Sequence, residues 1–155
     1  MQAASISKSV VPPGSAGDKD ASTYAPDGPR QIVVVTGMSG AGRQTTLRLL
    51  EDHGYETIDN LPLALWAQTV ALSGRGELAA GLALGIDVRS RGFETERLAE
   101  ILDTLRAMPS FQVTLLFLEC DDEVLQRRFT ETRRRHPLAP DRPLLDGMRR
   151  EREQL

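Results

Sequence analysis

Cysteine occurs once in the 155 residues, at Cys120, which excludes an intramolecular disulfide and a zinc site built on thiolates. Histidine occurs twice, at His53 and His136, and two rings so far apart in sequence suggest neither a metal ligand set nor a catalytic dyad. Lysine is absent after Lys19, so the body of the chain draws its positive charge from arginine alone. Aromatic residues are only 5% of the chain and are not interleaved with basic ones, which argues against a base-stacking nucleic-acid surface. No run of about 18 apolar residues exists, and the N-terminus has no apolar segment of export-signal length. The net charge of -3 supplies no global attraction for polyanions, so any basic surface must be local. These absences describe a soluble protein of a reducing, cytoplasmic compartment, without a membrane partner.

What remains is ordinary material for one globular domain: 40% hydrophobic and 26% charged residues. Residues 1–30, rich in Ser, Ala, Pro, Gly and Asp, read as a disordered tail, and 31–155 as the folded domain. Within the domain, strand and helix patterns alternate. Strands are expected at 31–36, 55–58 (the weakest), 82–87 and 113–118. Helices are expected from Thr45 to Asp52, closed by Gly54, after Pro62, over 94–108, and after Asp121 and Asp122 as N-caps. Leu63, Leu65, Trp66, Val70 and Leu72 read as mostly buried. This order predicts an α/β fold with a mostly parallel sheet flanked by helices. Four strands are fewer than such folds usually have, and the last helical pattern runs to Leu155, so a domain truncated before its last strand is expected.

The first strand leads directly into Gly37, Met38, Ser39, Gly40, Ala41, Gly42, Arg43 and Gln44, and then into a helix. A glycine-rich turn between strand and helix aims backbone N–H groups and the positive end of the helix dipole at one point, which suits a phosphate chain. This is the spacing of a P-loop in a kinase-like NTPase. Arg43 stands where that motif has Lys, and Gln44 where it has Ser or Thr. Arginine keeps the charge and can fork to two phosphate oxygens, whereas Gln44 has no hydroxyl for Mg²⁺. Binding is therefore expected to survive better than turnover.

Asp87, at the end of an apolar strand, is the candidate for holding Mg²⁺ or its water shell, with a plain polar strand end as the alternative. Arg43 and Asp87 are the candidate catalytic residues. Asp59 and Asn60 lie at the same sheet edge and read first as a helix cap before Pro62. The segment 127–136 is dense in arginine, and three readings stand for it: a solvated helix face, a lid over a triphosphate, and an RNA contact. Cys120 reads as a core residue. Three function classes follow: a regulatory nucleotide-binding protein, a small-molecule phosphotransferase with Asp59 near its acceptor, and a nucleotide-sensing module without turnover.

Several strings occur together: Gly-Met-Ser-Gly-Ala-Gly at 37–42, Leu-Glu-Asp-His-Gly-Tyr at 50–55, Asp-Asn-Leu-Pro at 59–62, Asp-Val-Arg-Ser at 87–90 and Glu-Thr-Arg-Arg-Arg-His-Pro-Leu at 131–138. This set resembles the RapZ/YvcJ family of bacterial nucleotide-binding proteins, also called RNase adapter proteins, from about Gln31 onward. The resemblance implies a P-loop domain that binds and slowly hydrolyses ATP and GTP. It assigns the stretch Gly37 to Gln44 to ATP, and Asp87, Val88, Arg89 and Ser90 to GTP. Ser90 stands where a guanine-reading tetrad would end in Asn. Regulatory protein partners are implied too, while the RNA-adapter role belongs to a second domain of the family and is not expected of this chain.

Overall fold

A computed structural model describes residues 28–73 and 81–155. Most of the expected N-terminal tail lies outside the described residues. The first strand begins at Arg30 and runs to Gly37 (β1). The elements that follow are α1 (Arg43–Asp52), β2 (Tyr55–Asp59), a 3₁₀ turn (Leu63–Leu65), α2 (Trp66–Ser73) and β3 (Gly81–Gly85). After these come α3 (Thr95–Arg106), β4 (Phe111–Leu118), α4 (Asp122–Thr132) and α5 (Leu144–Gln154).

The four strands form one sheet in the order β2-β3-β1-β4, and every neighbouring pair is parallel. Parallel strands need helical crossovers, and these bury the central strands on both faces. Hence β1 and β3 are nearly continuous apolar runs: Ile32, Val34, Val35, Leu82, Ala83 and Leu84 have no exposed surface. On one face these strands pack with Leu63, Trp66, Val70, Ile86, Leu98, Leu102 and Leu105. Each large side chain so enclosed contributes about 1.5–3 kcal/mol. On the other face Leu47 of α1 covers Val35 and Ala83. A third cluster, Met38, Leu125 and Met148, joins the loop after β1 to α4 and α5.

The element order follows the sequence expectation, with three local differences. Leu65 and Leu72 are exposed rather than buried. Leu63, Trp66 and Val70, spaced i, i+3 and i+7, form the inward stripe, and at about 100° per residue Leu65 and Leu72 fall on the opposite side. Asp121 does sit at the N-cap of α4, yet its side chain makes no capping bond. The backbone carbonyl of Asp121 instead accepts from Val124 and Leu125. Pairing of β3 ends at Gly85, which leaves Ile86 and Asp87 to pass over the sheet edge, with Ile86 N–H still donating to Val35. Gly54, at φ +84°, closes α1 as expected, its N–H donating to Glu51.

Candidate functional site

At the carboxyl end of β1 the chain must turn sharply while touching β4, and glycine makes this possible. Gly37 has φ +133°, and a Cβ there would collide with the backbone carbonyl of Leu118. The next residue, Met38, donates its N–H to that same carbonyl at 3.0 Å. Within the loop, Ala41 N–H donates to Met38 O at 2.9 Å, so this amide is turned inward. Gly40 and Gly42 also have positive φ, and their amides donate to no described group. Gly42 is the N-cap of α1 and its carbonyl accepts from Thr46, whose hydroxyl lies 3.2 Å from the same oxygen. The first turn of α1 leaves its N–H groups without intrahelical acceptors. A cavity of about 590 Å³ opens over this loop, and every residue from Gly37 to Thr46 lines it. A Cβ on Gly42 would meet nothing within 4 Å, so the space above the helix N-terminus is open to a phosphate-sized group.

Arg43 is the charge nearest that space. Its Nη1 lies 2.6 Å from Asp87 Oδ2 and its Nε 3.2 Å from Asp59 Oδ1, and the side chain is only 10% exposed. Gly85 permits this arrangement, since a Cβ there would stand 2.5 Å from Asp59 Oδ1. Asp87 is held from a second side, for Arg89 donates its N–H to Oδ1 at 2.9 Å and both Nε and Nη2 to Oδ2 at 2.9 and 2.5 Å. Burial works to raise the pKa of Asp87, but the hydrogen bonds from Arg89 and the positive charge of Arg43 more than reverse this. The carboxyl therefore titrates below its ordinary value. Among the expected residues of the second stretch, Asp87 and Arg89 line the cavity, while Val88 and Ser90 do not. Ser90 is buried and donates its hydroxyl to Asn60 Oδ1 at 2.6 Å, which ties the β3 turn to the end of β2. Asp59, expected first as a cap, is an ion-pair partner of Arg43.

The arginine-dense segment divides between two environments. Arg128, Arg134 and Arg135 line the cavity, and Arg128 Nη1 donates to Gly40 O at 2.8 Å. By contrast, Arg127 faces Glu131 on an exposed helix side, and outside the segment Arg152 of α5 pairs with Glu119 and Asp122. Phe129 lies against Gly40 and His136. His136 is buried and its Nε2 lies 3.0 Å from Glu151 Oε2, a partner that the sequence reading passed over. Glu151 continues the helical stripe Leu144, Met148, Leu155, at a position where an apolar residue belongs, and that break in the pattern was the available signal.

No group of three or more His, Cys, Asp or Glu side chains that could hold a metal occurs among the described residues. Mg²⁺, however, commonly keeps several waters and takes one or two carboxylates together with substrate phosphates, a role that fits Asp87 at the cavity wall. No helix among the described residues is long and apolar enough to cross a membrane.

A family described as the RapZ-like N-terminal domain matches residues 30–155. The chain is 52% identical to a nucleotide-binding protein of Rhodospirillum rubrum over 142 residues, 92% of this chain and 44% of the relative. It is 58% identical to a nucleotide-binding protein of Paramagnetospirillum magneticum over 125 residues, 81% of this chain and 40% of the relative. A nucleotide-binding protein of Rhodospirillum centenum is 53% identical over 132 residues, 85% of this chain and 39% of the relative. The chain thus spans less than half the length of these curated relatives.

Proposed function

The chain belongs to the RapZ-like N-terminal domain family, and on that premise we propose that it binds the phosphate chain of ATP and GTP over the loop Gly37–Gln44 and hydrolyses these nucleotides slowly, as a cytoplasmic regulator acting through protein partners. The observation that carries this reading is the open space above Gly42, where the first turn of α1 and the amides of Gly40 and Gly42 share one cavity with Arg43, Arg89, Arg128, Arg134 and Arg135. An incoming phosphate competes with Asp59 and Asp87 for Arg43, whose guanidinium forks to phosphate oxygens as it does to carboxylates. Asp87, relieved of one cation, is the residue that would hold Mg²⁺ through its water, and the ion would supply neutralisation of charge on the outer phosphates. Gln44 provides no hydroxyl for that ion, and this is the reason for slow turnover. Nucleotide sensing without turnover is the second reading, favoured by the double ion pair that holds Arg43.

The test is a titration of the purified chain with ATP and GTP, with and without Mg²⁺, following binding and phosphate release in one sample. Binding with slow release is the expected result. Binding without any release selects the sensor, and failure of folded protein to bind either nucleotide overturns the proposal. The paired substitution Arg43→Lys with Gln44→Thr should raise phosphate release by about tenfold, equivalent to about 1.4 kcal/mol of barrier.

A further inference from the structure

We infer that Glu151, on α5, is a positioning residue for the phosphate-binding loop, acting through Ser39; the inference rests on the phosphate-binding reading of that loop. Glu151 has no exposed surface, and a buried carboxylate is tolerated only when its lone pairs are satisfied. Three donors converge on it. Ser39 N–H donates to Oε2 at 3.0 Å, Ser39 Oγ–H to Oε1 at 2.6 Å, and His136 Nε2 lies 3.0 Å from Oε2. The histidine tautomer follows from its other nitrogen: Leu138 N–H donates to Nδ1 at 3.2 Å, so Nδ1 is the acceptor and Nε2 carries the proton given to Glu151. Gly147, one turn before Glu151, leaves room for the ring, since a Cβ there would collide with His136 Nδ1.

Ser39 sits between Gly37 and Gly40, two residues at positive φ whose backbone freedom would otherwise let the loop wander. Gripping both the amide and the hydroxyl of Ser39 fixes the residue between them. The grip also turns this amide away from the cavity, leaving the amides of Gly40, Gly42 and the first turn of α1 to receive phosphate. A loop already held in its binding shape does not draw its ordering entropy from the binding energy. Glu151 itself does not line the cavity, and it acts through the shape of the loop.

The experiment compares the intact chain with Glu151→Gln, Ser39→Ala, Ser39→Thr and the double variant Glu151→Gln with Ser39→Ala. Three quantities are read: the dissociation constant for ATP, the melting temperature without nucleotide, and amide hydrogen exchange over 37–42 without nucleotide. Glu151→Gln and Ser39→Ala should each weaken ATP binding about tenfold, the factor set by about 1.4 kcal/mol of coupling. The double variant should be no weaker than the worse single one, and Ser39→Thr, which keeps the hydroxyl, should recover part of the affinity and of the exchange protection that Ser39→Ala loses. Variants that melt lower but bind ATP normally when folded, or losses that simply multiply, would overturn the inference. Should Glu151→Gln fail to fold, the Ser39 pair still decides it. If the unaltered chain binds no ATP, the phosphate-binding reading fails, and exchange then decides the bracing alone: faster exchange over 37–42 with the sheet unchanged supports it, and unchanged exchange refutes it.

Discussion

Gly37 and Gly42 look alike in the sequence and do different work. At Gly37 a side chain would strike the backbone of β4, so Gly37→Ala should destabilise the fold by more than about 3 kcal/mol, measured by denaturant unfolding. At Gly42 a side chain enters open space and meets only backbone strain. Gly42→Val should therefore cost about 1–2 kcal/mol of stability yet abolish ATP binding in a direct titration. Asp87 acts on both scales of energy. Its carboxyl titrates below the ordinary value, about 3.9 for an unfolded chain. The stabilisation it contributes is therefore complete above that value and is lost as pH falls through the lower folded-state pKa. Asp87→Asn should lower stability at neutral pH by about 2–3 kcal/mol, moderated because Arg89 is half exposed, and should flatten the acid limb of a stability profile.

Among the elements, α5 is the one whose packing depends on the smallest side chain. Replacing a mid-helix glycine by alanine ordinarily stabilises by about 1 kcal/mol. Gly147→Ala should do the reverse, a net loss of about 1–2 kcal/mol in thermal or denaturant unfolding, because the new Cβ meets His136 and, at 2.8 Å, Ala139 Cβ. The strand, loop and helix at 30–52 were legible in the sequence because each is specified locally, by β-branched residues, positive-φ glycines and an apolar helix position. Asp59 and Glu151 were not, since each finds its partner only through tertiary packing: Asp59 meets Arg43 across the β2–β3 pairing, and Glu151 meets Ser39 across 112 positions. Leu65 and Leu72 are as apolar as their neighbours but out of phase with Leu63, Trp66 and Val70 at about 3.6 residues per turn, a distinction that composition does not carry.

For the molecule as a whole, the sheet has two edge strands, β2 and β4. No described strand pairs with the outer edge of β4, and Leu115 and Phe117 on it are 39% and 45% exposed. An open edge carrying apolar side chains favours strand-to-strand association. The pair Leu115→Thr with Phe117→Thr, residues suited to a strand, should reduce concentration-dependent light scattering while changing stability by less than about 1 kcal/mol. Charge is divided as unevenly as apolar surface. The net charge is -3, yet five arginines gather at one cavity. One of them, Arg43, is already neutralised by Asp59 and Asp87, so a phosphate arriving there trades one ion pair for another. Added salt screens both sides of such an exchange, and anion affinity at this site will consequently depend less steeply on ionic strength than five free arginines would dictate.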